Sequence, residues 1–289
     1  MSDAIQTRPT APVRSAGPGV GGLSLARALR RVAAARVTSG NEVRLLVDGP
    51  ETFGAMHELI ASARQSIDFE HYYWDPDEVG RGFADALSTA ARRGVRVRVL
   101  VDWIGSRHGT LTMLKSVARA GAEVRVFNRP GFRRWLGVLP RDHRKVVVVD
   151  NRVGVTGGVG IAEMWGKWRP LRRMEAPWRD TAVEIRGPAA TDLERAFLVM
   201  WRLAVGERMT RAERRARLST PGSRLEAGRE PPALVGIVEG EPGRTRVARA
   251  LQLSAVSADH SIWLASAYFM PSYREAEAIV GAARDGVDV

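Results

Sequence analysis

His143 and Lys145 are the residues most suited to chemistry on a phosphate ester. They lie in Asp142-His143-Arg144-Lys145, which four consecutive valines follow, and this pattern predicts a buried strand. Residues two apart on a strand point to the same face. An imidazole can attack phosphorus or transfer a proton, and a neighbouring ammonium can bind a phosphate oxygen and stabilise developing charge. The segment therefore predicts phosphodiester chemistry.

Lysine is rare in this chain. Of its 44 basic residues only Lys115, Lys145 and Lys167 are lysines, and arginine does not replace the compact ammonium in a tight phosphate site. The net charge of +12 favours anionic lipid headgroups or nucleic acid as partners, although general use of arginine would also explain it. The absence of cysteine excludes disulfides and thiolate metal sites, and neither a metal nor another cofactor is predicted.

The elements that must position this pair alternate along the chain. Strands are predicted at 43–47, 67–74, 95–102, 123–127, 146–150, 153–156 and 181–186, and helices at 51–63, 82–92, 111–120 and 189–204. The strands at 146–150 and 153–156 are predicted to be joined by a tight turn at Asn151-Arg152. Alternation of strands with helices of this length predicts an α/β sandwich around a mixed sheet.

An internal repeat predicts the domain organisation. Ser66–Trp74 resembles Ser261–Phe269, and both segments are predicted to be strands. We therefore expect a first lobe at 41–205, with its motif region at 137–164, and an incomplete second lobe at 233–289. Residues 206–232 are predicted to be a linker, and residues 1–40 a flexible basic tail with a short amphipathic helix, lying on a membrane or docked on the protein.

The same repeat predicts that a counterpart of His143 belongs to the second unit. His143 lies 49 residues after Gly94, and Gly286 matches Gly94, so the equivalent of His143 would fall near position 335, beyond Val289. We therefore expect low activity from this chain alone.

The chemical segment continues as the pattern H-x-K-x(4)-D, completed by Asp150 and followed by Gly157-Gly158. With this spacing the sequence resembles the phospholipase D superfamily, and most closely its cardiolipin synthase branch. Further matching segments are Tyr72-Tyr73-Trp74, Ala91-Arg92-Arg93-Gly94-Val95, Asp102 with Gly105-Ser106, and Trp178-Arg179-Asp180-Thr181. The resemblance implies the phospholipase D-like α-β-α sandwich with a mixed sheet, in which a second lobe is related to the first by a pseudo-two-fold axis.

The resemblance also implies a mechanism. One histidine attacks phosphorus and forms a phosphohistidine, while a histidine from a second motif protonates the leaving group, and no metal is required in most members. Lysine holds the phosphate, and an acidic residue that opens a later strand orients the histidine. By position this residue is Asp180, for which a salt bridge to Arg179 is the alternative. The family often carries Asn where this chain has Gly160.

Other site candidates follow from the motif and its neighbours. Asp150 belongs to the motif and counts among the catalytic candidates, but its strand parity is opposite to that of His143, which favours a structural role. The residues predicted to bind substrate or phosphate are Glu70, Arg144, Gly157 and Gly158, and a purely structural carboxylate is the alternative for Glu70.

Three functions remain open from the sequence. The first is a phosphatidyltransferase at the inner, cytoplasmic face of a membrane, without a spanning helix, acting on a phosphatidylglycerol-like phospholipid and an alcohol acceptor. The second is a homodimeric phosphodiesterase or nuclease in which each chain lends one histidine. The third is an inactive lobe. The segments Trp178–Thr181 and Gly105-Ser106 favour the lipid branch over nucleic acid.

Overall fold

The computed structural model describes residues 20–106, 109–129, 141–166, 176–207, 210, 233–241, 245–266 and 269–289. Their strands are β1 (Arg36–Val47), β2 (Ser66–His71), β3 (Arg96–Asp102), β4 (Glu123–Phe127), β5 (Lys145–Val149), β6 (Val153–Gly157), β7 (Thr181–Arg186) and β8 (Ala233–Ile237). Their helices are α1 (Val20–Val32), α2 (Asp48–Ser62), α3 (Glu78–Arg92), α4 (Thr110–Arg119), α5 (Pro188–Leu203), α6 (Arg246–Val256) and α7 (Tyr273–Arg284), with a 3-10 turn at Glu163–Trp165.

The eight strands form one sheet in the order β4-β3-β2-β5-β6-β7-β1-β8. Strands β2, β3 and β4 are parallel, whereas β5, β6, β7, β1 and β8 pair antiparallel. The predicted mixed α/β sheet is therefore confirmed. Strand β5 lies near the centre, directly beside β2, and this position fixes what can surround His143 and Lys145.

Helices cover both faces of the sheet. On one face, side chains of α2, α3 and α4 pack on alternate residues of the central strands, such as Phe69, Val99 and Val147. On the other face, α5 packs on Val146 and Val148. Because successive strand residues point to opposite faces, the run of valines in β5 contributes to both cores and anchors the strand that carries the motif.

The turn between β5 and β6 is shifted by one residue from the predicted turn. Asp150 and Asn151 are its central residues, with φ of 51° and 55°, and the N–H of Arg152 donates to the carbonyl of Val149 at 3.0 Å. Two-residue hairpins that match the strand twist need positive φ at both central positions, which Asp and Asn tolerate better than Arg. The prediction of Asn151-Arg152 was therefore wrong by one position.

The described residues after 232 form one strand and two helices, and the incomplete second lobe at 233–289 remains a prediction. Strand β8 joins the same sheet by pairing with β1, α6 and α7 pack on each other, and α1 contacts α6. The predicted strand at Ser261–Phe269 is not formed where it is described, since Ser261 makes only an isolated bridge to Asp288. Strand β2 is buried because β3 and β5 flank it, whereas Trp263 is 88% exposed.

Residues 1–19 of the predicted tail at 1–40, and most of the predicted linker at 206–232, lie outside the described residues. Among those that are described, no helix has both the length and the apolar character needed to cross a bilayer.

Candidate active site

His143 and Lys145 lie side by side at the start of β5. The ammonium nitrogen Nζ of Lys145 is 3.4 Å from Nδ1 of His143 and donates to the carbonyl oxygen of His143 at 3.3 Å. Lys145 is 7% exposed, whereas His143 is open to solvent. The structure therefore brings the two together on one face, as strand periodicity predicted, with the ammonium beneath an accessible imidazole.

The surroundings keep the imidazole neutral. Burial lowers the pKa of His143 below its ordinary value of 6.5, and the Lys145 ammonium lowers it further, while Asp142 and Asp102 act in the opposite direction. Burial likewise lowers the pKa of Lys145, against the attraction of Asp180 and Asp142. A neutral imidazole keeps a lone pair for attack or proton transfer at neutral pH.

The aromatic ring of Tyr72 forms one wall of the site. Its centroid lies 4.3 Å from that of His143, and the ammonium of Lys145 is 5.9 Å from the same centroid. The backbone N–H of Tyr72 donates to the carbonyl of Arg144 at 3.1 Å, which holds the end of β2 against the motif. The sequence placed Tyr72 in the predicted strand at 67–74 and in a segment that matches the family. It did not place Tyr72 beside His143, because the pairing of β2 with β5 is a tertiary feature.

Asp102 is a second residue that sequence reasoning left without a role. One oxygen of its buried carboxylate accepts from the N–H of Ile104 at 2.8 Å, and the other accepts from the N–H of Asp142 at 3.1 Å. It thus ties the loop after β3 to the residue that precedes His143. The available signal was its place at the carboxyl end of a buried strand, where functional residues of α/β sheets gather.

Asp180 lies over Gly158, close to Lys145 but not hydrogen-bonded to His143 among the described residues. Its Oδ1 accepts from the N–H of Thr181 at 2.8 Å, and a Cβ added at Gly158 would lie 2.1 Å from that oxygen. The alternative partner Arg179 pairs instead with Asp48 at 2.7 Å. The orienting role of Asp180 toward His143 remains a prediction.

The glycine pair lets the end of β6 approach β7 closely. A Cβ at Gly157 would lie 2.5 Å from the Cα of Ala182, and the N–H of Gly158 donates to the carbonyl of Thr181 at 3.1 Å. These contacts explain why the positions lack side chains. Phosphate binding by Gly157 and Gly158 stays a prediction.

Asp150 lies at the far end of β5 from His143. Its carboxylate accepts from the backbone N–H groups of Arg64, Gln65 and Ser66 at 2.9, 2.7 and 2.8 Å. Although burial raises the pKa of Asp150, these three hydrogen bonds lower it below the ordinary value. These bonds place Asp150 at the turn after β5, away from His143 and Lys145, and its catalytic role remains a prediction.

Glu70 and Arg144 lie on the opposite face of the sheet, under α5. The Nε of Arg144 donates to Oε1 of Glu70 at 3.0 Å, and its Nη2 donates to the carbonyl of Ala196 at 3.0 Å. Burial lowers the pKa of Arg144, but Glu70 and Asp142 raise it beyond the ordinary value. The structure therefore does not bring these two residues to His143, and gives Glu70 its alternative, structural role.

Within the part of the chain that the structure describes, no group of three or more His, Asp or Glu side chains is arranged to hold a metal ion.

Comparison with known proteins gives the family that the sequence matches. Residues 56–165 match the family described as "Cardiolipin synthase, PLD-like domain". The chain is 32% identical to cardiolipin synthase A of Pseudomonas fluorescens over 91% of its own length and 53% of that protein. It is also 32% identical to a cardiolipin synthase of Geobacillus kaustophilus, over 92% of its length and 51% of that protein. The chain thus spans about half the length of these curated relatives.

A solved structure shares the fold. It is the phosphatidylserine synthase of Haemophilus influenzae, with a TM-score of 0.60 at 14% identity, over 91% of this chain and 64% of that one. The α/β sandwich and the His-x-Lys pair that opens a central strand are the features that define this class of fold and motif. Residues 56–165 belong to the family of cardiolipin synthase, PLD-like domains, and the chain is similar to cardiolipin synthases over most of its length.

Proposed function

We propose that this chain carries the first catalytic motif of a phosphatidyltransferase of the cardiolipin synthase type. The enzyme would cleave the phosphodiester of an anionic, phosphatidylglycerol-like phospholipid and pass the phosphatidyl group to an alcohol. The observation that carries the proposal is the accessible imidazole of His143 with its lowered pKa, 3.4 Å from the buried ammonium of Lys145. The names of the relatives support the choice of lipid over nucleic acid.

In the proposed first step, Nε2 of His143 attacks phosphorus. A P–N bond forms, the P–O bond to the leaving alcohol breaks, and the alkoxide takes a proton from a general acid, which the family resemblance assigns to a histidine of a second motif. In the second step, the acceptor oxygen attacks phosphorus, the P–N bond breaks, and the acceptor's proton passes to that same group. Lys145 binds a non-bridging oxygen in both steps and stabilises its negative charge.

The tautomer of His143 sets a condition on this mechanism. An ammonium that donates to Nδ1 leaves the proton on Nε2, so Nε2 cannot attack in that state. A bound phosphate would draw the ammonium of Lys145 to its own oxygen and free Nδ1 to carry the proton. The carboxylate of Asp180, which interacts with Lys145, is the proposed acceptor for that Nδ1–H.

The proposal includes attachment to the inner face of a membrane. Trp178 is 51% exposed and packs edge-on against Trp165 at 5.1 Å, and the side chain of Arg179 is 77% exposed. Both lie just before Asp180 in sequence. An amphipathic indole beside a guanidinium suits a lipid headgroup region, as does the net charge of +12.

The best test uses a phosphatidyl ester of p-nitrophenol in mixed vesicles. This leaving group departs without protonation, so the assay needs only the His143 motif. We expect a burst of about one equivalent of p-nitrophenolate per active chain, as covalent catalysis produces, and a phosphatidyl adduct on His143 by mass spectrometry. His143→Ala should abolish both signals, whereas His260→Ala, at an exposed histidine outside the site, should not.

A burst that persists in His143→Ala would overturn the site assignment. Cleavage of single-stranded DNA or of bis(p-nitrophenyl) phosphate without any phosphatidyl adduct would replace the transferase proposal with a phosphodiesterase.

A further inference from the structure

His71 lies directly across from Lys145 in the pairing of β2 with β5. The N–H of Tyr72 donates to the carbonyl of Arg144 at 3.1 Å, and these two residues flank the His71–Lys145 pair. This bond pattern marks the pair as non-hydrogen-bonded, the type in which facing side chains approach most closely. His71 is therefore the nearest cross-strand neighbour of Lys145, on the same face of the sheet.

The imidazole of His71 is buried, at 3% exposure, and packs on Phe69 with ring centroids 4.7 Å apart. Neither ring nitrogen has a hydrogen-bond partner among the described residues. Buried polar atoms are nearly always satisfied by protein groups or ordered water. The two nitrogens of His71 therefore call for a small polar ligand.

The space for such a ligand is present. A cavity of about 10 Å³ is lined by His71 and Lys145, together with Thr52, Thr156 and Gly157. One water molecule needs about 10–15 Å³ of such space and two or more polar partners. The cavity therefore suits a single water, and His71 and Lys145 are polar partners for it.

We propose that His71 is a positioning residue for Lys145, whose imidazole binds a buried water that accepts a hydrogen bond from the ammonium. The water would hold Nζ beside His143 and ready for a phosphate oxygen. The catalytic consequence rests on the proposed phosphatidyl transfer, whereas the hydrogen-bonded link itself does not.

The charges around the pair fit this arrangement. Burial, with a further contribution from Lys145, lowers the pKa of His71 to about 3, so the imidazole is neutral at physiological pH and does not repel the ammonium. The other groups that act on Lys145 are the carboxylates of Asp180 and Asp142 and the neutral ring of His143. A polar but uncharged neighbour therefore orients the ammonium without neutralising it.

The test is an NMR titration of the Lys145 side-chain nitrogen, made simple by the presence of only three lysines. In a Lys115→Arg, Lys167→Arg background the single ¹⁵Nζ signal belongs to Lys145. We expect His71→Phe to fill the cavity, remove the acceptor and lower the Lys145 midpoint by about one pH unit, a tenfold change. His71→Gln, whose amide oxygen can replace the acceptor, should restore most of that shift.

The matched control is His57→Phe, which removes an imidazole stacked on Phe83 at 4.1 Å and should leave the midpoint unchanged. If His71→Phe does not fold, the Lys145 midpoint is measured in His71→Leu, which also removes the acceptor but has a smaller apolar side chain. An unchanged Lys145 midpoint in the folded apolar variant would overturn the proposal, because a purely packing role predicts no shift.

The p-nitrophenyl ester assay separates the two proposals. If the Lys145 titration midpoint shifts in His71→Phe but the wild-type chain gives no burst, phosphatidyl transfer is refuted and the His71–Lys145 link is supported. If the wild-type chain gives a burst but the Lys145 midpoint does not shift in His71→Phe, the link is refuted and phosphatidyl transfer is supported.

Discussion

The ammonium of Lys145 lies 3.4 Å from Nδ1 of His143 and is itself almost completely buried. A cation at this distance penalises protonation of the imidazole, and it adds to the effect of burial, which is the larger cause of the lowered His143 pKa. The motif thus couples its two residues electrostatically before any substrate binds.

Lys145→Met should therefore raise the pKa of His143 toward 6.5. The neutral imidazole is the reactive form, so the rise of the burst rate with pH should occur at higher pH in Lys145→Met. The maximum burst rate should also be lower. The measurement is a proton NMR titration of the histidine C2–H signals, assigned with His143→Ala. Lys115→Met, at an exposed position of α4, is the control, and an unchanged His143 midpoint in Lys145→Met would contradict the coupling.

Asp150→Ala should destabilise the fold by about 1–2 kcal/mol, because three backbone N–H groups lose a charged acceptor, without changing the burst per folded chain. Asp150→Asn should cost less, since it keeps Oδ1 and tolerates the positive φ. The pKa of Asp150 is below its ordinary value of 3.8, so its stabilisation is complete above that value and is lost as the pH falls through the folded-state pKa. Urea unfolding at pH 7 and pH 3 measures this, and equal losses at both would count against it.

Arg144→Leu should destabilise the protein by about 3–5 kcal/mol, because it leaves the buried Glu70 without its cationic partner. Glu70→Leu should cost less, because Asp142 remains 3.5 Å from Arg144. The double substitution should cost clearly less than the sum of the two, since both charges are then removed. A double-mutant cycle of unfolding free energies measures the coupling. Simple additivity would show that the 3.0 Å contact contributes nothing.

Gly160→Asn, which installs the residue common in the family, should lower stability by about 1–3 kcal/mol and should not raise the burst rate. A Cβ at this position would lie 2.7 Å from the indole of Trp165 and 3.3 Å from the Cβ of Tyr73, so the loop must shift to admit it. Gly160→Ala is the matched variant that tests the clash without the amide. A faster burst from Gly160→Asn at unchanged melting temperature would show that the space can be made available.

The sequence by itself determined the alternation of strands and helices, the shared face of His143 and Lys145, and the opposite parity of Asp150. These features depend on local periodicity and motif spacing, which each segment carries in its own residues. It also supplied the family resemblance, through the spacing of the motif.

The tertiary structure decided which residues surround the pair. Strand register placed His71 across from Lys145 and Tyr72 against His143, and the close approach of β6 to β7 set Asp180 above Gly158. The same register sent Glu70 and Arg144 to the α5 face. Among the described residues, Ser261 makes only an isolated bridge to Asp288. These outcomes depend on contacts between segments far apart in sequence, which local periodicity does not encode.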